Sequence, residues 1–367
     1  MKKIKIDIPF FISIAILVIG GFLIFSSASL GLLSNQGVKY ANVSFNQTFF
    51  GLFLGTLACI ITSHIDYKKY RQYAFYLFIG AVCATLLVFV PKIGIEHGGA
   101  HRWFYLGPIS IQPSEFLKIA FIMYLSAWMA SVKDKAQTFR YGFVPFIVLT
   151  AIVGAILLKQ PDTDTFAVTF FAGVAIFIAS GGRWRHVLLL LVGAVAGLAL
   201  IAYTRPYVMS RITTFLNPSA NALGSGYQIQ QSLIAIGSGG VTGRGFGQSI
   251  QKFNYLPEPI GDSIFAVASE EFGFVGAVTI ILLFIFFSFR GLKIATHVPD
   301  TFGRLMVVGI VIMIVSQAFV NIGAMVGILP LSGIPLPFVS HGGTALFMTL
   351  AEVGIILNIS KTAKIKA

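Results

Sequence analysis

The chain has 367 residues, 56% of them hydrophobic and only 11% charged, with a mean hydropathy of +0.86. A water-soluble domain carries about 25% charged residues, so water is excluded as the main solvent for this chain. The net charge of +13 would raise nucleic acid as a partner for a soluble protein, but the placement of the charges, described below, argues against it.

The chain opens on Met1-Lys-Lys-Ile-Lys5 and then an apolar run, Pro9–Leu33. That run is too long for the apolar core of a signal peptide, about 7–15 residues, and predicts a retained first helix. Further runs reach or approach the roughly 17–25 residues that a bilayer requires. They are Phe45–Ser63, Tyr73–Val90, Glu115–Val132, Gly142–Leu158, Thr165–Ala179, Val187–Tyr203, Ile264–Phe289, Leu305–Leu329 and Gly342–Ile359. The expected fold is therefore an all-α bundle of about ten transmembrane helices in one membrane domain, 1–367. Only Lys159–Asp164 joins the fifth and sixth spans, which predicts a tight hairpin. Cys59 and Cys83 both fall in apolar runs and form no CxxC or disulfide framework.

With the N-terminus inside, most of the 26 lysines and arginines fall in short cytoplasmic loops, as the positive-inside rule requires. Lys2, Lys3, Lys5 and Lys366 are counted inside, and Lys39 and Lys92 outside. Most of the 13 acids gather on the other side. The expected topology is multi-pass with both termini cytoplasmic, and no nucleic-acid partner. Two outer segments are long: Pro91–Ser114, and Thr204–Gly261 between the seventh and eighth spans. Loops of that length are commonly functional or disordered. Apolar periodicity at Tyr227–Ile236 predicts a short surface helix and favours order.

Asp262 stands where the second loop meets the eighth span, in Tyr255-Leu-Pro-Glu-Pro-Ile-Gly-Asp262. Asp is a preferred N-cap, and a carboxylate at the mouth of a bundle can also accept a proton from a substrate hydroxyl. Both roles are open. Glu258 belongs to the same run. Glu115 and Lys118, at i,i+3, share one helix face. Charges in a span usually pair or face a cavity, so the two form either a structural bridge or part of a site, with Asp162 and Asp164 as additional partners. Arg102 is either solvated or suited to bidentate phosphate contact. The glycines of Ser340-His-Gly-Gly-Thr344 serve tight packing or approach to an anion, and His341 is weak evidence of a site. The sequons at Asn42 and Asn46 are too short a pattern to weigh.

These stretches together resemble the SEDS family (shape, elongation, division and sporulation), whose members include FtsW, RodA and SpoVE. The resemblance is carried by His101–Ile119 (HRWFYLGPISIQPSEFLKI), Gln160-Pro-Asp162, Phe215-Leu-Asn-Pro218, Gly226–Gln248, Tyr255–Phe274 and Asn321–Thr344, in the family's order. It implies a glycosyltransferase that polymerises lipid II, a disaccharide-peptide on undecaprenyl diphosphate, into peptidoglycan strands with inversion at the sugar. It implies as partners lipid II, the growing lipid-linked strand, a class B penicillin-binding protein and other divisome membrane proteins. By motif position Asp262 matches the family's essential aspartate, implying the catalytic base. Glu115, Lys118 and Asp162 match its charged cluster and Arg102 its basic residue. These four and Glu258 are the expected substrate-binding residues. No cofactor is certain. A divalent cation, magnesium or manganese, is the one cofactor considered, and no metal ligands are assigned.

Three positions depart from the family pattern. Ser263 stands where Phe is common, His341 where Tyr is usual, and Asp164 where the motif often continues Leu-Gly, which leaves the partner of Lys118 ambiguous. The Gly-Asp-Ser form and its Leu-Pro-Glu-Pro context favour an FtsW-like role at the division septum over a RodA-like role in elongation. A lipid II flippase, a transporter, is the competing class, and a scaffold with a vestigial site a third.

Overall fold

A computed structural model of the chain describes residues 6–34, 40–90, 94–97, 100–106, 109–218 and 224–364. The basic residues Lys2, Lys3, Lys5, Lys39, Lys92 and Lys366, and Gly107-Pro108, lie outside them. Among the described residues nine helices are long and apolar enough to cross a membrane, and a tenth apolar helix is shorter. In chain order the spans are α1 Ile8–Leu33, α2 Tyr40–His64, α3 Tyr67–Phe89, α4 Pro113–Gln137, α5 Phe139–Lys159, the shorter α6 Thr163–Ala179, and α7 Trp184–Thr204. Two helices of the outer loop follow, α8 Pro206–Leu216 and α9 Ser225–Ser238. The last spans are α10 Ile264–His297, α11 Thr301–Met325 and α12 Gly343–Ser360.

The expected spans are all present, and their ends shift for identifiable reasons. Helix α3 begins ahead of the apolar run because Asp66 caps it, accepting the Lys68 N–H at 3.0 Å, which draws the charged turn into the helix. Asp300 caps α11 in the same way, at Gly303 N–H, 2.9 Å. That helix ends early, at Met325, and Gly327 follows with a φ of +76°. Asp7 caps α1 and forms a bidentate pair with Arg290 of α10, both contacts at 2.8 Å, and its N–H donates to Ser360 of α12. The first and last spans therefore meet at one end of the bundle.

The fold is the expected helical bundle, with one addition. Between α3 and α4 the chain forms a three-stranded antiparallel sheet, β1 Ile95–His97, β2 Ala100–Leu106 and β3 Ile109–Ile111. Here the apolar alternation is too short to register beside the long runs. Thr344 at the start of α12 donates to the Ser110 carbonyl at 2.8 Å and ties this sheet to the bundle.

Helix α11 lies at the centre, packed by α10, α6 and α4, while α12 packs closely on α2. Small residues permit that approach: a Cβ on Gly354 would stand 2.0 Å from Thr62 Oγ1. Leu188, Leu189, Val192, Val195 and Leu198 leave α7 with an exposed apolar face, suited to lipid.

The outer loop is ordered by a break in α10. Gly273 adopts φ +64° inside that helix, a conformation costly for any residue with a Cβ. The break frees the carbonyls of Glu270 and Glu271, which accept the N–H groups of Arg244 and Gly245 at 3.0 Å each. In return Phe274 and Val275 N–H donate to Gly240 and Val241 carbonyls at 2.9 and 3.1 Å. Beside this seam Lys252 is wholly buried, and its ammonium donates to Glu271 Oε1 (2.8 Å), Gly247 O (2.9 Å) and Ser27 Oγ (3.0 Å). Every proton of that ammonium has an acceptor.

Candidate active site

A cavity of about 380 Å³ opens where α4, α6, α11, the sheet and the ends of the outer loop converge. Arg102, Glu115, Lys118, Asp162, Glu258 and Asp262, the six residues singled out in the sequence, all line it.

Asp262 is not the helix cap that its position offered. The residue preceding α10 is Ser263, and no side chain caps that helix. Instead the carbonyl of Glu258 accepts the N–H groups of Gly261 and Ser263, at 3.0 and 3.3 Å. Glu258 makes that turn at φ +47°, between two prolines. The Asp262 carboxylate is thus released from capping and accepts one hydrogen bond from Gln228 Nε2 of α9, at 3.1 Å. Its backbone is held firmly. Asn321 Nδ2 donates to the Asp262 carbonyl and to Ile334 O, both at 2.8 Å. Ser340 Oγ donates to Gly261 O at 2.6 Å, and His341 N–H to Ile260 O at 2.7 Å. Burial pushes the Asp262 carboxyl up to about 7, a rise that Gln228 opposes and the Glu258 charge increases.

The cations stand on other elements. Lys118 Nζ pairs with Glu115 at 2.9 Å, one turn apart on α4, and donates to Gln317 Oε1 of α11 at 3.3 Å. Gln317 in turn donates to Pro335 O at 3.1 Å, so it and Asn321, one turn apart, hold the proline-rich loop over the cavity. Glu352 of α12, also buried, lies where the charges of Lys118 and Glu115 act on it.

The expected partnership of Lys118 with Asp162 or Asp164 is corrected. Asp162 caps α6, accepting Thr165 N–H at 3.4 Å, and lies 3.9 Å from Arg102 Nη1. Asp164 pairs with Arg211. The Gln160-Pro161 turn points its carbonyls at β2, where they accept Arg102 Nε (3.2 Å) and Nη2. Asp162 Oδ2 is buried without a hydrogen-bond partner among the described residues. Burial raises the Asp162 carboxyl, with Arg102 opposing. His341 lines the cavity with its ring stacked on Phe25, 5.9 Å between centroids. Burial lowers its imidazole to about 4, so it is neutral near pH 7.

The residues that sequence reading missed are Gln228, Gln317, Asn321 and Arg211. For Gln317 and Asn321 a signal existed, two amides at i,i+4 inside an apolar span. For Gln228 and Arg211 only the folded loop reveals the contact.

A multi-pass membrane bundle with a charged cavity near its ends is the class that this fold and site define. A sequence model of the FtsW/RodA/SpoVE family, described as cell cycle protein, matches residues 8–365, and the chain belongs to that family. It is 37% identical over 360 residues to stage V sporulation protein E of Bacillus subtilis (strain 168), covering 96% of each. It is 40% identical over 311 residues to a probable peptidoglycan glycosyltransferase FtsW of Geobacter metallireducens, covering 85% of this chain and 83% of the relative. Its fold matches that of a chain in a peptidoglycan synthase complex that coordinates polymerization and crosslinking, at a TM-score of 0.80 and 27% identity, covering 97% of each. Rod shape determining protein RodA of Thermus thermophilus matches at 0.71 and 26%, covering 98% of each.

Proposed function

We propose that this chain is a peptidoglycan glycosyltransferase that extends glycan strands from lipid II. The observation that carries the reading is the meeting, in one cavity, of a half-buried carboxylate held by its backbone with an ammonium and a guanidinium from separate elements.

In the reaction the acceptor 4-hydroxyl oxygen forms the new bond to the donor's anomeric carbon. The bond from that carbon to the diphosphate oxygen breaks, and the lipid diphosphate leaves with the electron pair. One displacement inverts the α-linked donor to a β-1,4 product. Asp262 takes the hydroxyl proton, a contribution of about 10²–10⁴-fold. Lys118 and Arg102 stabilise the charge that develops on the leaving diphosphate. Glu115 and Gln317 aim Lys118, and Asp162 and Gln160-Pro161 aim Arg102. Glu258 borders the acceptor side and, by its charge, keeps Asp262 basic.

Among the described residues no three acids, histidines or cysteines gather as a metal site. A magnesium or manganese ion arriving with the diphosphate would use the Asp162 carboxylate, which lines the cavity with an oxygen that has no hydrogen-bond partner among the described residues, and would neutralise phosphate charge, since such ions need only one or two protein carboxylates.

The FtsW-like relatives and the Gly-Asp-Ser sequence support a role in septal wall synthesis, with both termini cytoplasmic. The likeness to a synthase complex supports a class B penicillin-binding protein as partner, together with other divisome membrane proteins. The test is incubation of the purified chain and such a partner with labelled lipid II. Glycan ladders are expected; transbilayer movement of lipid II without ladders would establish a flippase instead.

A further inference from the structure

At the rim of the cavity stands an ion pair that the mechanism above does not use. Arg211 Nη1 of α8 donates to Asp164 Oδ2 of α6 at 2.5 Å, and the same oxygen accepts the Gly333 N–H at 3.1 Å. Three separate elements, α8, the first turn of α6 and the loop before α12, are thus joined at one carboxylate. Gly333 lines the cavity, and a Cβ there would stand 3.9 Å from Arg211 Nη2, so the guanidinium borders the cavity wall. The Arg211 charge acts on Asp262, and the Asp164 charge on Asp162.

The pair is not sealed in a dry core. The side chains of Arg211 and Asp164 are 30% and 23% exposed, and ion pairs with such access to water are weak. A diphosphate carries more charge than a carboxylate and offers oxygens to both arms of a guanidinium. The geometry also explains why Asp164, the acid that departs from the family pattern, does not burden Lys118: its charge is spent on Arg211.

We propose that Arg211 is a further diphosphate-binding residue, held at the cavity rim by Asp164 until the anionic headgroup of the lipid-linked donor displaces that carboxylate. Asp164 is then an internal competitor that weakens substrate affinity. The inference rests on the glycosyltransferase reading above.

The experiment uses the full chain in nanodiscs and compares wild type, Arg211→Ala, Arg211→Lys, Asp164→Asn and the double variant Arg211→Ala/Asp164→Asn. It reads binding of undecaprenyl diphosphate, the KM for lipid II, and thermal stability. Arg211→Ala is expected to weaken diphosphate binding and raise KM about tenfold, as loss of a charged hydrogen bond does, with Arg211→Lys recovering part. Asp164→Asn is expected to tighten binding roughly threefold, the scale of a part-exposed pair. The double variant should behave as Arg211→Ala alone. If Asp164→Asn leaves binding unchanged, or if both single variants weaken it alongside equal losses of thermal stability, the pair is a strut and the proposal is overturned. If wild type binds the diphosphate yet makes no glycan, the glycosyltransferase reading fails, and the binding measurements alone decide the role of Arg211.

Discussion

Two clusters of buried charge sit on either side of the outer loop, and they are built differently. Around Lys252 the charges are paired at close range in the interior: the ammonium has three acceptors, and Glu270 takes Ser249 Oγ at 2.6 Å with two backbone N–H groups at 3.2 Å, while Glu271 Oε2, also buried, has no hydrogen-bond partner among the described residues. Around Asp262 the charges come from separate elements and keep capacity to spare: among the described residues Asp162 Oδ2 has no hydrogen-bond partner, and Asp262 has one side-chain donor beyond its neighbour Ser263. Charges sealed away from the cavity hold structure, whereas Asp162 and Asp262 line it and retain bonding capacity for a ligand. The same residue types thus brace the loop in one place and await a substrate in the other.

Substitutions should separate the two clusters. The largest effect is expected at Asp262→Asn, which removes the base while keeping a partner for Gln228. Glycan synthesis should fall at least about 10²-fold with the melting temperature little changed; full synthesis by the purified variant would end the base assignment. Lys252→Met should do the opposite. It strands Glu271 in the interior, at a cost of about 3–5 kcal/mol visible as early thermal unfolding. Its activity per folded molecule should persist, and a combined Lys252→Met/Glu271→Leu variant should regain much of the loss.

Asn321→Leu lies between these extremes. It leaves the Asp262 and Ile334 carbonyls unpaired, at about 1–3 kcal/mol, and loosens the base, so stability and turnover should fall together. Retained turnover would show that Asn321 does not position Asp262. The smallest effect concerns pH. A carboxyl raised to about 7 works as a base only when ionised, so the rate should climb as pH passes through about 7 and then level. Gln228→Leu removes a hydrogen bond that favours the ionised form, so the rise should move to higher pH. A profile flat between pH 5 and 8 would separate this titration from the rate.

The bilayer makes the spans legible, because lipid leaves a long apolar run few alternatives to a helix. Span ends were less legible, since Asp66 and Asp300 draw polar residues into a helix by capping it. The sheet at residues 95–111 is not legible because two of its strands are only three residues long and its apolar pattern is brief. Within the site, Glu115 and Lys118 could be paired from i,i+3 spacing alone. Asp162, Asp164, Arg102 and Arg211 could not, because each partner arrives from another element.

By itself the sequence determined that this chain is a helical membrane protein, which of its carboxylates and cations are unusual, and which family pattern they follow. These properties depend on local hydropathy and residue type. Only the tertiary structure decided that Asp262 is an acceptor for Gln228 and not a helix cap, that Asp164 answers Arg211, and that Lys252 belongs to a brace. Such assignments turn on distances of a few ångströms between helices, and a contact of that kind leaves no period in the chain.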